Sequence, residues 1–345
     1  MKKIISLVVC MPLIASVLLG LSSCEHKDLC YHHEEHALKY HALVEATYEL
    51  EWQKTMAGAR NWESEWPTNF GMGYDDLRPV VPKGLRALVY NEDKSHDMVN
   101  LPAKGGVLNM SMGEHSILFY NNDTEYIIFD ELQSSASAKA TTRTRSRSSY
   151  LGNSFSGTRN ENTVTPPDML YGNYVPTYTP IKQISPELLP ITMHPLVFTY
   201  LIRYEFSAGY EYVALSRGAL AGMAGSVYLF DGHTSENAVT LLYDCTLETF
   251  GPQAIVQSFG IPNYPNPDYT RGNQKYALNL EVKLKNGKIK NFDFDVTDQV
   301  EKQPNGGVIV VKGIEISDKE GQEGGSGFDV DVEGWGDYQD VELPL

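Results

Sequence analysis

Val44-Glu45-Ala46-Thr47-Tyr48-Glu49-Leu50-Glu51-Trp52 alternates apolar or aromatic residues with polar ones from end to end. Only a backbone whose side chains repeat every second residue puts Val44, Ala46, Tyr48, Leu50 and Trp52 on one face and the glutamates on the other. This is a half-buried β-strand.

The same period recurs outward along the chain. It predicts strands at Leu85–Tyr90, Val107–Met110, Ser116–Tyr120 and Glu125–Phe129. Further strands are predicted at Leu196–Phe206, Ser226–Phe230, Ala238–Leu247, Ala254–Phe259, Tyr276–Lys285, Ile289–Val296 and Val308–Ile316, then Phe328–Val332 and Val341–Leu345. Asn286-Gly287 sits between two alternating runs and reads as a hairpin turn. Helix is confined to a short stretch near Trp62 and one turn within Val296–Gln303, capped by Thr297 or Asp298. With no βαβ alternation, the expected class is all-β, mostly antiparallel, packaged as two sandwiches.

Between the strand-rich halves, Ser134–Ser149 is a Ser/Ala/Thr/Arg stretch in which Arg143, Arg145 and Arg147 alternate with Thr and Ser. With no apolar face, it reads as an exposed linker, extending over 133–165. The expected organisation is a leader at 1–23, a tether at 24–40, a first sandwich at 41–180 and a second at 185–345. Trp62 and Trp66 fall in a long connection and are expected to cap a sandwich core.

Lys2 and Lys3 precede an apolar run from Ile4 to Leu21, the layout of a secretory signal. Leu21-Ser22-Ser23-Cys24 ends it with an aliphatic residue, two small ones and a cysteine, as a bacterial lipobox does. Cleavage between Ser23 and Cys24 with acylation of Cys24 is therefore expected. An uncleaved anchor is the competing reading, since the run approaches membrane-spanning length. Each buried acyl methylene adds about 0.8 kcal/mol, so more than one chain gives stable attachment.

The formal net charge of −16 over 345 residues repels phosphate backbones, which argues against a nucleic-acid partner. Once Cys10 leaves with the leader and Cys24 is acylated, Cys30 and Cys245 remain, and their spacing fits a pair or two free thiols alike.

Three constellations could carry chemistry. His32, His33, His36 and His41 stand near Glu34 and Glu35, but the His33-Glu34-Glu35-His36 spacing is one residue short of a metalloprotease motif. Asp329-Val330-Asp331-Val332-Glu333-Gly334-Trp335-Gly336-Asp337 with Asp340 imitates a calcium loop. It lacks flanking helices, and it alternates as a strand would. Asp293 and Asp295 alternate with Phe292 and Phe294 and read as the wet face of a strand, not a glycosidase pair. Gly71-Met72-Gly73 and Gly324-Gly325-Ser326-Gly327 read as turns. With no nucleophile elbow, phosphate loop or dinucleotide fingerprint, no catalytic residue, metal ligand or cofactor is nominated.

Three further stretches carry a family resemblance: Cys24-Glu25-His26-Lys27-Asp28-Leu29-Cys30-Tyr31-His32, Leu220-Ala221-Gly222-Met223-Ala224-Gly225-Ser226-Val227-Tyr228-Leu229, and Gly327-Phe328-Asp329-Val330-Asp331-Val332-Glu333-Gly334-Trp335. Together with the opening strand they resemble the fimbrillin-like surface lipoproteins of Bacteroidetes, associated with type V pili. The charged residues after Cys24 resemble that group's surface-export signal. The resemblance implies two tandem transthyretin-like Greek-key sandwiches, an outer-membrane lipid anchor facing outward, and a structural, anchoring or adhesive role. It also implies assembly by strand donation between subunits, with Arg60 or the Arg143–Arg147 stretch as candidate sites for an Arg-specific protease. The alternative is a glycan- or peptide-binding lipoprotein using Trp62, Trp66, Tyr74 and the tyrosines from Tyr171 to Tyr178.

Overall fold

In the computed structural model, residues 37–56, 58–150, 152, 157, 160–266 and 275–322 are described, with 339–341 as backbone. The leader, Cys24, Cys30, the histidines from His26 to His36 and most of the calcium-like loop lie outside these residues. Strand accounts for 51% of the described residues and helix for 8%, which makes the fold all-β.

Four sheets form. The largest runs Lys182–Gln183, Lys39–Tyr48, Glu187–Pro195, Tyr171–Tyr178, His115–Asn121, Gly84–Asn91, His96–Pro102, with Gly105–Asn109 on the other side of Lys39–Tyr48. A three-stranded sheet joins Ser226–Tyr228, Lys139–Thr142 and Ile127–Asp130. A four-stranded sheet runs Thr246–Glu248, Gly251–Ser258, Phe198–Ala208, Gly307–Glu315. The last runs Ile289–Asp295, Ala277–Leu284, Val213–Ala224, Ala238–Asp244, Asn162–Val164, Thr144–Ser146, Gln339–Val341.

The period-two pattern explains the layers. In Phe198–Ala208, Tyr200, Ile202 and Tyr204 face a core shared with Leu220, Leu241, Leu278 and Leu280 of the seven-stranded sheet. Leu201 points the other way, into an aromatic cluster. In His115–Asn121, Ile117 and Phe119 meet Val44 and Met193, while Leu118 and Tyr120 meet Ala138 and Ala140. That sheet is covered on both faces.

Several expectations change. The stretch 139–146 is not an exposed linker: it supplies two strands, and Ala138, Ala140, Thr141, Thr142 and Arg147 are buried. Small side chains let the backbone pack closely, and the buried hydroxyls find carbonyls. Thr141 Oγ1 donates to Gly225 O at 3.0 Å and Thr142 Oγ1 to Thr165 O at 2.9 Å. The opening strand ends at Tyr48; Leu50 still packs on its core, while Trp52 belongs to the aromatic cluster. Trp62 lies in a turn, and the 3-10 turns come later, at Thr68–Phe70 and Tyr74–Leu77. The helical turn Thr297–Val300 has Val296 as its N-cap, whose aliphatic side chain cannot cap, and the Thr297 hydroxyl accepts from Tyr276 N–H at 3.1 Å. Three pairings are parallel: Lys39–Tyr48 with Glu187–Pro195, Phe198–Ala208 with Gly307–Glu315, and Ala238–Asp244 with Asn162–Val164. The Asn286-Gly287 hairpin forms as expected, joining Ala277–Leu284 to Ile289–Asp295.

Candidate functional site

The opening strand is held from both sides. Leu43 stands opposite Val107 in the antiparallel neighbour and opposite Leu188 in the parallel one. Its apolar face supplies Ala42 and Val44, fully buried, to the first core. The approach of Gly105–Asn109 depends on Gly105, at φ 96°, where a Cβ would collide with the Val44 carbonyl. The chain then runs on past the strand and bends at Trp52. Glu49 N–H donates to Met193 O at 3.0 Å, Thr199 N–H to Trp52 O at 2.8 Å, and Lys54 N–H to Asn305 O at 2.8 Å. Residues 39–54 therefore bond first to the large sheet and then to the start of the four-stranded one. Without this segment, two rows of backbone donors and acceptors and the sockets of Val44 and Trp52 would lie open, the chemistry an extended strand recognises.

After Trp52 the chain forms an aromatic strap. Trp52, Trp62, Phe70, Tyr74 and Leu77 are buried against Leu201 and Val308 on the outer face of the four-stranded sheet, with Trp66 half-buried among them. Trp62 Nε1 donates to Gln303 Oε1 at 2.6 Å and Trp66 Nε1 to Met72 O at 2.7 Å. Gln53 Nε2 donates to the Tyr74 hydroxyl at 3.0 Å. The tryptophans do cap a sandwich, and the sheet they cover lies more than a hundred residues further along the chain. Tyr171 is buried as well, which leaves Tyr174 and Tyr178 half-exposed.

The two candidate protease sites differ sharply. Arg60 is exposed, with its guanidinium 4.2 Å from the Trp62 ring centroid and 3.3 Å from Glu65. Arg147 is buried, donating to Gly218 O at 3.3 Å and to Asn279 Oδ1 at 3.0 Å. It is a structural cation closing the outer side of the seven-stranded sheet, and the expectation of a protease-sensitive loop there is corrected.

Two clefts open beside these elements. One, of about 490 Å³, lies between the strap and the Gly307–Glu315 strand and is lined by Trp62, Phe70, Gln299, Gln303, Val310 and Lys312. The other, of about 560 Å³, includes Glu49, Tyr174, His194, Phe230 and Tyr264, with Glu49 and His194 2.9 Å apart. Burial pushes up the Tyr204 and Tyr243 phenols, whose hydroxyls lie 2.9 Å apart, and the Cys245 thiol, which is free. These shifts follow from core packing rather than from a reactive arrangement. Among the described residues no three His, Cys, Asp or Glu side chains come together to hold a metal ion, and no helix is long and apolar enough to cross a membrane. Asp293 and Asp295 lie on the exposed face of their strand, as read from the sequence.

Residues 75–244 match the family profile described as a domain of unknown function (DUF5119). No curated protein matches. Among solved structures, the chain is similar to a candidate adhesin from Bacteroides ovatus, with 17% identity, a TM-score of 0.55, and 81% of this chain and 93% of that one covered. It is also similar to the fimbrial anchor protein Mfa2 from Porphyromonas gingivalis, at 13% identity and a TM-score of 0.40, over 79% and 90% of the two chains. The all-β sandwich fold of the Bacteroides ovatus protein is thus the fold of this chain, and the fimbrillin-like resemblance holds at that level.

Proposed function

We propose that this chain is a cell-surface subunit of a pilus or adhesive assembly, serving as an anchor, structural or adhesion component. It is carried to the outer membrane by its leader and held there by acyl groups on Cys24 after cleavage between Ser23 and Cys24. The organisation that goes with this reading is leader, tether and two sandwiches. The sandwiches are those at 41–180 and 185–345, and the pairing of Glu187–Pro195 with Lys39–Tyr48 would link the second to the first. No catalytic role is assigned.

The supporting observation is the seating of the opening segment. Lys39–Tyr48 is a strand seated between Gly105–Asn109 and Glu187–Pro195, and residues 49–54 continue its hydrogen bonding to the start of the four-stranded sheet. Alternate side chains plug the cores, and this is the relation a donated strand has to its acceptor. Partner subunits would engage by that chemistry, and exposed Arg60 lies just beyond the segment, where one cut would separate it from the rest.

The test is made on cells. Surface material released by shear and run in SDS without boiling is expected to show the chain in a ladder with other subunits; a chain recovered solely as a monomer overturns the assembly role. Labelled palmitate is expected to enter the protein and to be lost in Cys24→Ala, which should appear in the medium. N-terminal sequencing separates a chain beginning at Cys24 from one cut to begin at Asn61.

A further inference from the structure

Among the described residues the Gly307–Glu315 strand is the outermost of the four-stranded sheet and pairs with Phe198–Ala208 alone. Val308-Ile309-Val310-Val311 combines high strand preference, no charge and no proline, the composition most prone to pair with another chain when it lies at an edge. Its outward backbone groups are nevertheless occupied. Val310 N–H donates to Gln299 Oε1 at 2.9 Å, and Gln299 Nε2 donates back to Val310 O at 3.1 Å. Val308 N–H donates to Gln303 Oε1 at 2.8 Å, and Gln303 Nε2 donates back to Val308 O at 3.1 Å. Each side-chain amide returns both bonds, as a peptide unit of a neighbouring strand would.

The spacing explains the fit. Gln299 lies in the helical turn Thr297–Val300, and Gln303 follows just beyond it, where its N–H bonds to Val300 O at 2.9 Å. The two amides are thereby set against Val310 and Val308, positions two strand residues or about 6.6 Å apart. The Gln303 amide is saturated: it also accepts from Trp62 Nε1 at 2.6 Å and donates to Gln299 O at 3.0 Å. Gly307 is required beneath it, since a Cβ there would strike the Gln303 side chain. Beyond the guarded pair the edge carries exposed Lys312, 3.3 Å from Glu205, and then a register shift near Gly313, two further ways of blunting an edge.

We propose that Gln299 and Gln303, held in place by Trp62, form a mock strand that keeps the Gly307–Glu315 edge from pairing with the same edge of a second copy of this chain. A second copy is the occupant because the uncharged Val308–Val311 run is its own complement in an antiparallel register, and an isologous pair closes without propagating. The proposal is independent of the pilus reading, since it concerns a different strand and needs no cleavage.

The test replaces both amides with side chains of similar length that cannot return the bonds, Gln299→Met with Gln303→Met, in the full chain. Sedimentation velocity over a concentration series is expected to show self-association strengthened about tenfold or more over the parent. Amide exchange at Val308 and Val310 should quicken under dilute conditions. Adding Val310→Pro, which deletes an outward N–H at an edge where proline is tolerated, is expected to return the parent's behaviour. A folded Met variant that sediments as the parent does at every concentration overturns the proposal. So does association that persists with Val310→Pro. If the double variant does not fold, Gln299→Met alone leaves Trp62 and Gln303 bonded and is read in the same way.

Discussion

Arg203 lies over the ring of Phe70, 4.2 Å from its centroid, and donates to the Phe70 carbonyl at 3.0 Å. Phe250 covers its other face at 3.7 Å, and Gln253 Oε1 accepts at 2.8 Å. The side chain is 1% exposed. Burial lowers its pKa, and arginine stays charged even so. One planar cation thus fastens the strap to the strand beneath it. Arg203→Lys cannot stack in this way and is expected to cost about 2–3 kcal/mol. Arg203→Ala should cost more. Denaturant unfolding followed by tryptophan fluorescence reads both, and a lysine variant as stable as the parent would remove the fastening role.

Trp52 is fully buried, edge-on to Trp66 at 6.0 Å and tilted against Tyr74 at 5.1 Å. Trp52→Ala leaves a large cavity and is expected to cost about 3–5 kcal/mol. Because the Trp52 carbonyl accepts from Thr199 N–H, exchange at Thr199 should rise with it. Protection at Thr199 unchanged in a destabilised variant would separate the ring from the backbone link.

Glu320 is held at a pKa of about 2 by hydrogen bonds from Lys290 first, then from the Ser317 backbone and hydroxyl. Ser317 and Glu320 bond reciprocally across the first turn of Asp318–Gln322, as in a capping box. A carboxylate with a lowered folded pKa stabilises above its unfolded value and loses that contribution as pH falls through the folded one. Glu320→Gln is therefore expected to lower the melting temperature at pH 7. The difference from the parent should shrink between about pH 4.5 and 2 and vanish below. A difference independent of pH would mean that the Lys290 bond does not set the shift.

Exposure separates Arg60 from Arg147, and native proteolysis needs an accessible, locally open backbone. An Arg-specific protease is expected to cut after Arg60 at least about tenfold faster than after Arg147, as read by mass spectrometry of early fragments. Asn279→Ala, which keeps the cleavable arginine and removes its side-chain hydrogen-bond acceptor, should narrow the difference by freeing that segment. Early cleavage after Arg147 in the parent would contradict its buried placement.

How legible this was in the sequence depended on the range of the interaction. Val44 to Tyr48 and the Asn286-Gly287 hairpin were readable because alternation and turn chemistry are local. The strands at 139–146 were hidden because Ala138 and Ala140 are small and the polar residues there are satisfied by partners far along the chain, such as Gly225 for Thr141. The sheet covered by Trp62 could not be read, since Gln303 is 241 residues away. The twelve-residue strand Val213–Ala224 is buried along most of its length and so shows no alternation to detect. Gln299 and Gln303, four residues apart and followed by Gly306-Gly307 and a β-branched run, left a signal that alternation alone does not pick out.

The hydroxyls of Thr47 and Thr192 lie 3.4 Å apart across a parallel pairing that spans 145 residues. A chain emerging amino end first therefore exposes Ala42 and Val44 long before Glu187–Pro195 exists to receive them. Such distant closure slows folding and leaves a sticky ribbon waiting in the meantime. The earliest described strand can pair on one side with Gly105–Asn109 but stays open on the other until Glu187–Pro195 emerges, so a holding factor that shields that side in transit would govern the yield of mature protein.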